Sequence, residues 1–255
     1  MAELRFSHDR CVDCPIRNRA VCSYSSPRQL AELDAAKFYR DYEPGQEIIG
    51  EGEPCDAVGS VVEGVVALHR TMEDGRRQTV GLLFPSDFVG RPLRTVAPYD
   101  AIALTPVRMC LFHRKRFEEI LQHNPSLERR LLEMTLDELD AARDWMVLLG
   151  RKTAIEKLAS FLLILAHRTA TLDNQPFDDG IAITLPLTRE AIAEYLGLTI
   201  ETVSRQFGVL KRNGVISLPD PRITVIEDLR ALFYLAGEDP DQEFEPRPFR
   251  PAANA

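Results

Sequence analysis

The sequence predicts an α+β chain in three parts: an antiparallel β-roll, a long helix, and two short helices followed by a β wing. Three observations carry this. Eight of the 14 glycines fall between Gly45 and Gly90, among short β-branched runs. A helical pattern with a narrow apolar stripe runs from about Ser126 to Leu149. From Thr188 to Gly214, two helical patterns flank a glycine turn. At 255 residues, 45% hydrophobic and 27% charged, the chain has room for one large domain or two ordinary ones.

Residues 1–26 form a segment of little periodicity that holds Cys11, Cys14 and Cys22, spaced C-x2-C-x7-C. Residues 27–120 form the roll. The runs Ala57–Leu68 and Gln78–Phe84 read as strands, joined near Glu73-Asp74-Gly75 by a hairpin turn. Helical signals begin at Arg114, and residues 121–150 are assigned to the long helix. Leu132, Leu139, Ala142, Met146 and Leu149 follow a 3–4 heptad spacing, with Thr135 in the remaining position and acids and arginines between. A narrow apolar stripe on a charged helix is the pattern of a dimer seam. Gly150 ends that helix.

Residues 151–237 form the last domain. Thr153–Ala166 is apolar nearly all round and should be buried. Thr188 caps a first short helix with Ile192 and Leu196 on its buried face, and Gly197 supplies the turn. Thr199 caps the second helix, with a buried stripe of Ile200, Val203, Phe207 and Leu210. Glu201, Ser204 and Arg205 share the opposite face within the first two turns, where a reading helix meets base edges. Arginine pairs with guanine, glutamate accepts from cytosine, and serine takes several partners. Lys211 and Arg212, at the far end, suit phosphates. Ile216–Val225 reads as a wing and Glu227–Leu235 as a last helix. Four prolines and five acids in residues 238–255 predict a disordered tail.

The formal charge of −8 limits how DNA can be bound. Residues 151–237 carry 10 basic and 10 acidic side chains, so no segment is strongly basic. Affinity must come from local cations, and from two copies. No apolar run is long enough to span a bilayer, and the N-terminus lacks a secretory signal. The expected location is the cytoplasm, where five cysteines point to metal or redox chemistry before disulfides.

Four thiolates are the usual complement of an iron–sulfur cluster or a structural zinc. The first three cysteines leave the fourth place to Cys55 or Cys110. Cys110 is preferred, because a ligand there would join the cysteine segment to the base of the long helix. His8, His69 and His113 are possible substitutes. Spacing by itself leaves zinc, an iron–sulfur cluster and no metal all open.

The order of parts resembles the FNR-type oxygen-sensing regulators of the CRP/FNR superfamily, and within them the FnrL branch, where the spacing is C-x2-C-x7-C. The likeness covers Cys11 to Gly237. Its most specific piece is LGLTIETVSRQFGVLKRNG from Leu196, matching the family's E-x-x-S-R at Glu201, Ser204 and Arg205. The resemblance implies a cyclic-nucleotide-binding-like β-roll, a dimerisation helix and a winged helix-turn-helix. It implies that Cys11, Cys14, Cys22 and Cys110 hold a 4Fe–4S cluster. It further implies a homodimer on a TTGAT-N4-ATCAA-like palindrome, released when oxygen converts the cluster toward a 2Fe–2S form. The loop Glu73–Arg77 lies where family members touch RNA polymerase holoenzyme.

The chain departs from that pattern in places. Some relatives use C-x2-C-x5-C, Pro15 removes a backbone donor beside Cys14, and Ala142 stands where an acid can occur. Gln206 replaces a frequently apolar residue. Two other readings are weaker. A cyclic-nucleotide activator needs a phosphate clamp, but FVGRPLRTVAPYDAIAL from Phe88 lacks the acid at Gly90-Arg91-Pro92 and places Arg94-Thr95 too early. An iron–sulfur electron carrier or redox enzyme leaves the reading helix unexplained. The sequence has no catalytic constellation, P-loop or dinucleotide fingerprint, so no enzyme is expected.

Overall fold

The computed structural model describes residues 10–242 and 244, and the chain divides into two compact units whose boundary falls inside one helix, between Leu136 and Asp137. Among the described residues no helix is long and apolar enough to cross a membrane.

The first unit opens with a 3-10 turn at Cys11–Asp13 and helix α1 (Pro27–Ala36). Ser26 caps α1, its hydroxyl accepting from Gln29 N while the Gln29 side-chain oxygen accepts from Ser26 N. Strands β1 (Lys37–Tyr42), β2 (Glu47–Ile49), β3 (Ala57–Glu63), β4 (Val66–Thr71), β5 (Arg77–Leu83), β6 (Phe88–Val89), β7 (Asp100–Ala103) and β8 (Val107–His113) follow. They form two antiparallel sheets, ordered β1-β8-β3-β6 and β2-β7-β4-β5. Val61, Met109 and Leu111 of the first sheet bury against Val66, Leu68, Leu83, Ala101 and Ala103 of the second. This is the expected roll. Gly59 of β3 lies against β8, and a Cβ there would collide with the Cys110 carbonyl.

Helix α2 (Arg114–His123) ends at Asn124, whose Nδ2 donates to Ile120 O at 2.9 Å. Helix α3 (Pro125–Arg151) starts at the proline, a favoured first helical residue. The long helix assigned to residues 121–150 is therefore corrected at both ends. Residues 121–123 belong to α2, and α3 passes through Gly150 to Arg151, because one exposed glycine does not outweigh an otherwise strong helical stretch.

In the second unit Thr153 caps helix α4 (Ala154–Leu172), which runs six residues beyond the Ala166 end that the sequence suggests. Leu158, Phe161, Leu162 and Leu163 of α4 are buried. Strand β9 (Ala182–Thr184), helices α5 (Arg189–Leu196) and α6 (Ile200–Arg212), strands β10 (Ile216–Asp220) and β11 (Ile223–Ile226) and helix α7 (Leu229–Ala236) complete it. The wing is a three-stranded sheet, β10-β11-β9, so it recruits a strand from before the two helices.

The tail also differs from expectation. Glu238 Oε1 accepts from Lys152 Nζ at 2.7 Å, Asp241 pairs with Arg230 at 3.1 Å, and the Phe244 ring packs edge-on to Phe233 at 5.0 Å. An aromatic anchor and two ion pairs thus order residues that composition assigns to disorder. Residues 243 and 245–255 of that expected tail, like residues 1–9 with His8, lie outside the described residues.

Candidate thiol site and nucleic-acid interface

Antiparallel pairing places Tyr39, Cys110 and Ser60 in one row across β1, β8 and β3, and Lys37, Phe112 and Val58 in the neighbouring row. Paired residues share a sheet face, so these side chains point away from the roll interior occupied by Met109 and Leu111. The outward patch is covered. Val58, Phe112, Phe117, Ile120, Leu33, Val21 and Leu127 form one buried cluster, with Cys22, Cys110, Leu131 and Met134 packed against it.

The cysteine segment is held on this patch by polar contacts. Asp34 of α1 accepts from Cys11 N at 2.8 Å and from Lys37 Nζ at 2.6 Å. The Lys37 bond, then the Cys11 amide, draw the Asp34 carboxyl down to about 2. Arg17 donates to Ser23 O at 3.1 Å and Ser25 O at 3.3 Å, closing the loop around Cys22. Arg130 of α3 donates to Arg19 O at 2.8 Å.

The four thiols are electrostatic neighbours. Burial raises Cys11 to about 12 and Cys22 to about 11. Burial and then Cys11, Cys14 and Cys22 push Cys110 up, while Lys37 opposes the shift. Lys37 Nζ and the Arg108 guanidinium lie 5.4 Å and 4.6 Å from the Tyr39 ring centroid. Among the described residues, no three Cys, His, Asp or Glu side chains stand close enough to hold a metal ion. The thiols would have to close inward from these positions to share one. In kind and number the donors are those of a four-thiolate cluster, and binding one would release their protons.

The other candidates stand apart. Cys55 donates its Sγ proton to Ala57 O at 3.4 Å. It precedes Ser60, the partner of Cys110, by five residues, roughly 16 Å along an extended chain. His69 is buried, its Nδ1 3.1 Å from Thr79 Oγ1, and the His113 ring lies 5.0 Å from Phe38. Neither belongs to the thiol patch.

In the second unit Thr188 Oγ1 accepts from Ala191 N and Thr199 Oγ1 from Thr202 N, each at 3.2 Å, so both caps form as the sequence indicates. Gly197 ends α5 in the left-handed region at φ 61°. The Arg189 guanidinium lies 3.2 Å from the Phe207 ring centroid, tying α5 to α6. Val203, Phe207 and Leu210 are buried, whereas Glu201, Ser204, Arg205, Lys211 and Arg212 are exposed. Ile200 is corrected: it is 43% exposed and not part of the buried stripe. It is the first residue of α6, ahead of the turn that α5 covers.

The Cyclic nucleotide-binding domain family matches residues 39–124, and the Crp-like helix-turn-helix domain matches residues 156–233. The transcriptional activator protein FnrL of Cereibacter sphaeroides is 56% identical over 91% of this chain and 94% of its own. The chain belongs to the CRP/FNR family of transcription regulators. The nitrogen fixation regulation protein FixK of Bradyrhizobium diazoefficiens is 38% identical over 86% of this chain and 91% of its own. The structure of FixK2 from Bradyrhizobium japonicum matches with a TM-score of 0.70 at 33% identity, covering 78% of this chain and 96% of that one. CRP/FNR proteins are DNA-binding regulators and not enzymes, and α6 lies within the stretch that matches the Crp-like helix-turn-helix domain.

The Arg205→Ala substitution should cost about 1–3 kcal/mol of discrimination at one guanine. Competition binding with specific and base-substituted duplexes measures it. An equal loss on random DNA would limit Arg205 to phosphate contact.

Proposed function

We propose that this chain is an oxygen-responsive transcriptional activator of the cytoplasm, a homodimer in which Cys11, Cys14, Cys22 and Cys110 hold a 4Fe–4S cluster. The observation that carries this reading is the shared buried patch: Cys22 and Cys110 pack with Leu127, Leu131 and Met134 of α3. When bound, such a cluster supplies iron–sulfur bonds that oxygen can break. The residues around it supply the linkage. The cysteine segment is bonded to α1 at Asp34 and to α3 at Arg130, so a change in how the thiols are held bears on the start of α3.

That helix continues into an exposed apolar stripe. Leu132, Leu139 and Met146 are 58%, 45% and 73% exposed, and Leu136 and Val147 add 52% and 57%. A second copy of α3 would cover them. Ala142 is exposed among them, while Leu149 is partly covered and faces the turn at Gly197. Two copies would present two α6 helices to the halves of a TTGAT-N4-ATCAA-like palindrome, which suits an acidic chain with few cations per copy. The β4–β5 hairpin at Glu73–Arg77, where Asp74 pairs with Arg76 at 2.8 Å, is the surface proposed for RNA polymerase holoenzyme.

An acid in the seam should oppose pairing. Ala142→Asp is expected to shift the anaerobic protein toward monomer on sizing chromatography; an unchanged dimer would remove Ala142 from the seam. The ligand set has its own test. Cys110→Ser should abolish the intact cluster while Cys55→Ser retains it, by iron and sulfide analysis of anaerobically prepared protein. The reverse result refutes the choice of Cys110.

A further inference from the structure

Ser60 is 4% exposed, and among the described residues its hydroxyl has no hydrogen-bond partner. It sits directly across from Cys110 in the β3–β8 register, on the covered outer face of the sheet. Phe88 is its partner on the other side, and Val58 and Phe112 occupy the neighbouring row. A buried hydroxyl without a partner is destabilising, and alanine would fill nearly the same space without that cost. The hydroxyl is therefore best explained by an acceptor that arrives after folding.

We infer that Ser60 donates its hydroxyl proton to the Cys110 sulfur once that sulfur is a cluster ligand. This rests on the cluster reading above. Directly opposed residues in an antiparallel pair have Cβ atoms about 4.5–5.5 Å apart, so rotation about χ1 brings Oγ to the sulfur. A neutral thiol accepts weakly, whereas a metal-bound thiolate is an electron-rich acceptor. Donation to it withdraws charge from the cluster, which raises the reduction potential and makes the cluster harder to oxidise. On the opposite side of Cys110, Tyr39 turns its ring to Lys37 and Arg108. Ser60 is thus the donor flanking Cys110 on β3. Its role is to set how readily oxygen destroys the site, without being a ligand.

The test compares wild type, Ser60→Ala and Ser60→Thr, each loaded anaerobically and also prepared without iron. In the loaded protein, Ser60→Ala should keep its iron and sulfide. Its midpoint potential should fall, its terminal iron–sulfur stretching band should move to higher frequency, and its colour should bleach several-fold faster in air. Ser60→Thr, which keeps a hydroxyl, should stay near wild type. In the iron-free protein, Ser60→Ala should resist urea at least as well as wild type, since an unpartnered hydroxyl has been removed. Loaded wild type and Ser60→Ala with the same potential, stretching band and bleaching rate would overturn the inference. So would equal destabilisation of Ser60→Ala with and without iron, which marks a purely structural residue. A wild type that takes up no iron and sulfide would instead sink the cluster reading itself.

Discussion

The register of β8 between β1 and β3 is the constraint on which the proposed sensor depends. Side chains alternate along a strand, so a slip of one residue would turn Cys110 into the roll interior and bring Met109 out. The register is held because Met109 and Leu111 fill the core between the two sheets. Gly59 reinforces it, since a Cβ there would meet the Cys110 carbonyl. The hydrophobic effect that packs the roll therefore also presents one thiol on the opposite face. The same alternation gives Cys110 its neighbours, Tyr39 and Ser60, and gives the cysteine segment an apolar surface to settle on.

That surface explains why a segment with little periodicity is ordered at all. Ile16, Ala20 and Val21 are buried, and its backbone is held by Asp34, Arg17 and Arg130. Burial also keeps the thiols protonated, with Cys11 near 12 and Cys22 near 11. The thiols themselves are then neutral, and the charge in this pocket is the Lys37–Asp34 ion pair. With four thiolates it would carry charge, and Lys37, whose side chain is 6% exposed beside Asp34, is the cation placed to offset it. On the second unit the logic is simpler. Caps at Thr188 and Thr199 and the left-handed Gly197 fix the two helices, and burial of Val203, Phe207 and Leu210 turns the polar face outward.

Much of this was legible in the sequence because it is local. Glycine clustering marks the roll, Thr188, Gly197 and Thr199 mark helix ends, and heptad spacing marks the stripe on α3. Other features depend on tertiary contacts. Helix α1 carries a visible Ser26-to-Gln29 capping box, but its apolar face is short and reads weakly. Ile200 has the right phase for a buried stripe, yet no neighbour covers the first residue of α6. On α3 the heptad spacing places Thr135 in the stripe, and Leu136 beside it is 52% exposed. Phe244 and Glu238 read as disordered until Phe233 and Lys152 are seen to receive them. The face that Cys110 occupies and the missing partner of Ser60 are matters of register, which single-chain periodicity does not contain.

The most direct measurement follows affinity for a fluorescent TTGAT-N4-ATCAA duplex by anisotropy, on anaerobically loaded protein, before and during exposure to air. Iron and sulfide are assayed on the same samples. Tight anaerobic binding that decays in step with sulfide loss is the predicted result. Equal affinity under argon and in air, from a colourless protein without iron and sulfide, would contradict oxygen sensing and leave a DNA-binding regulator with a different input.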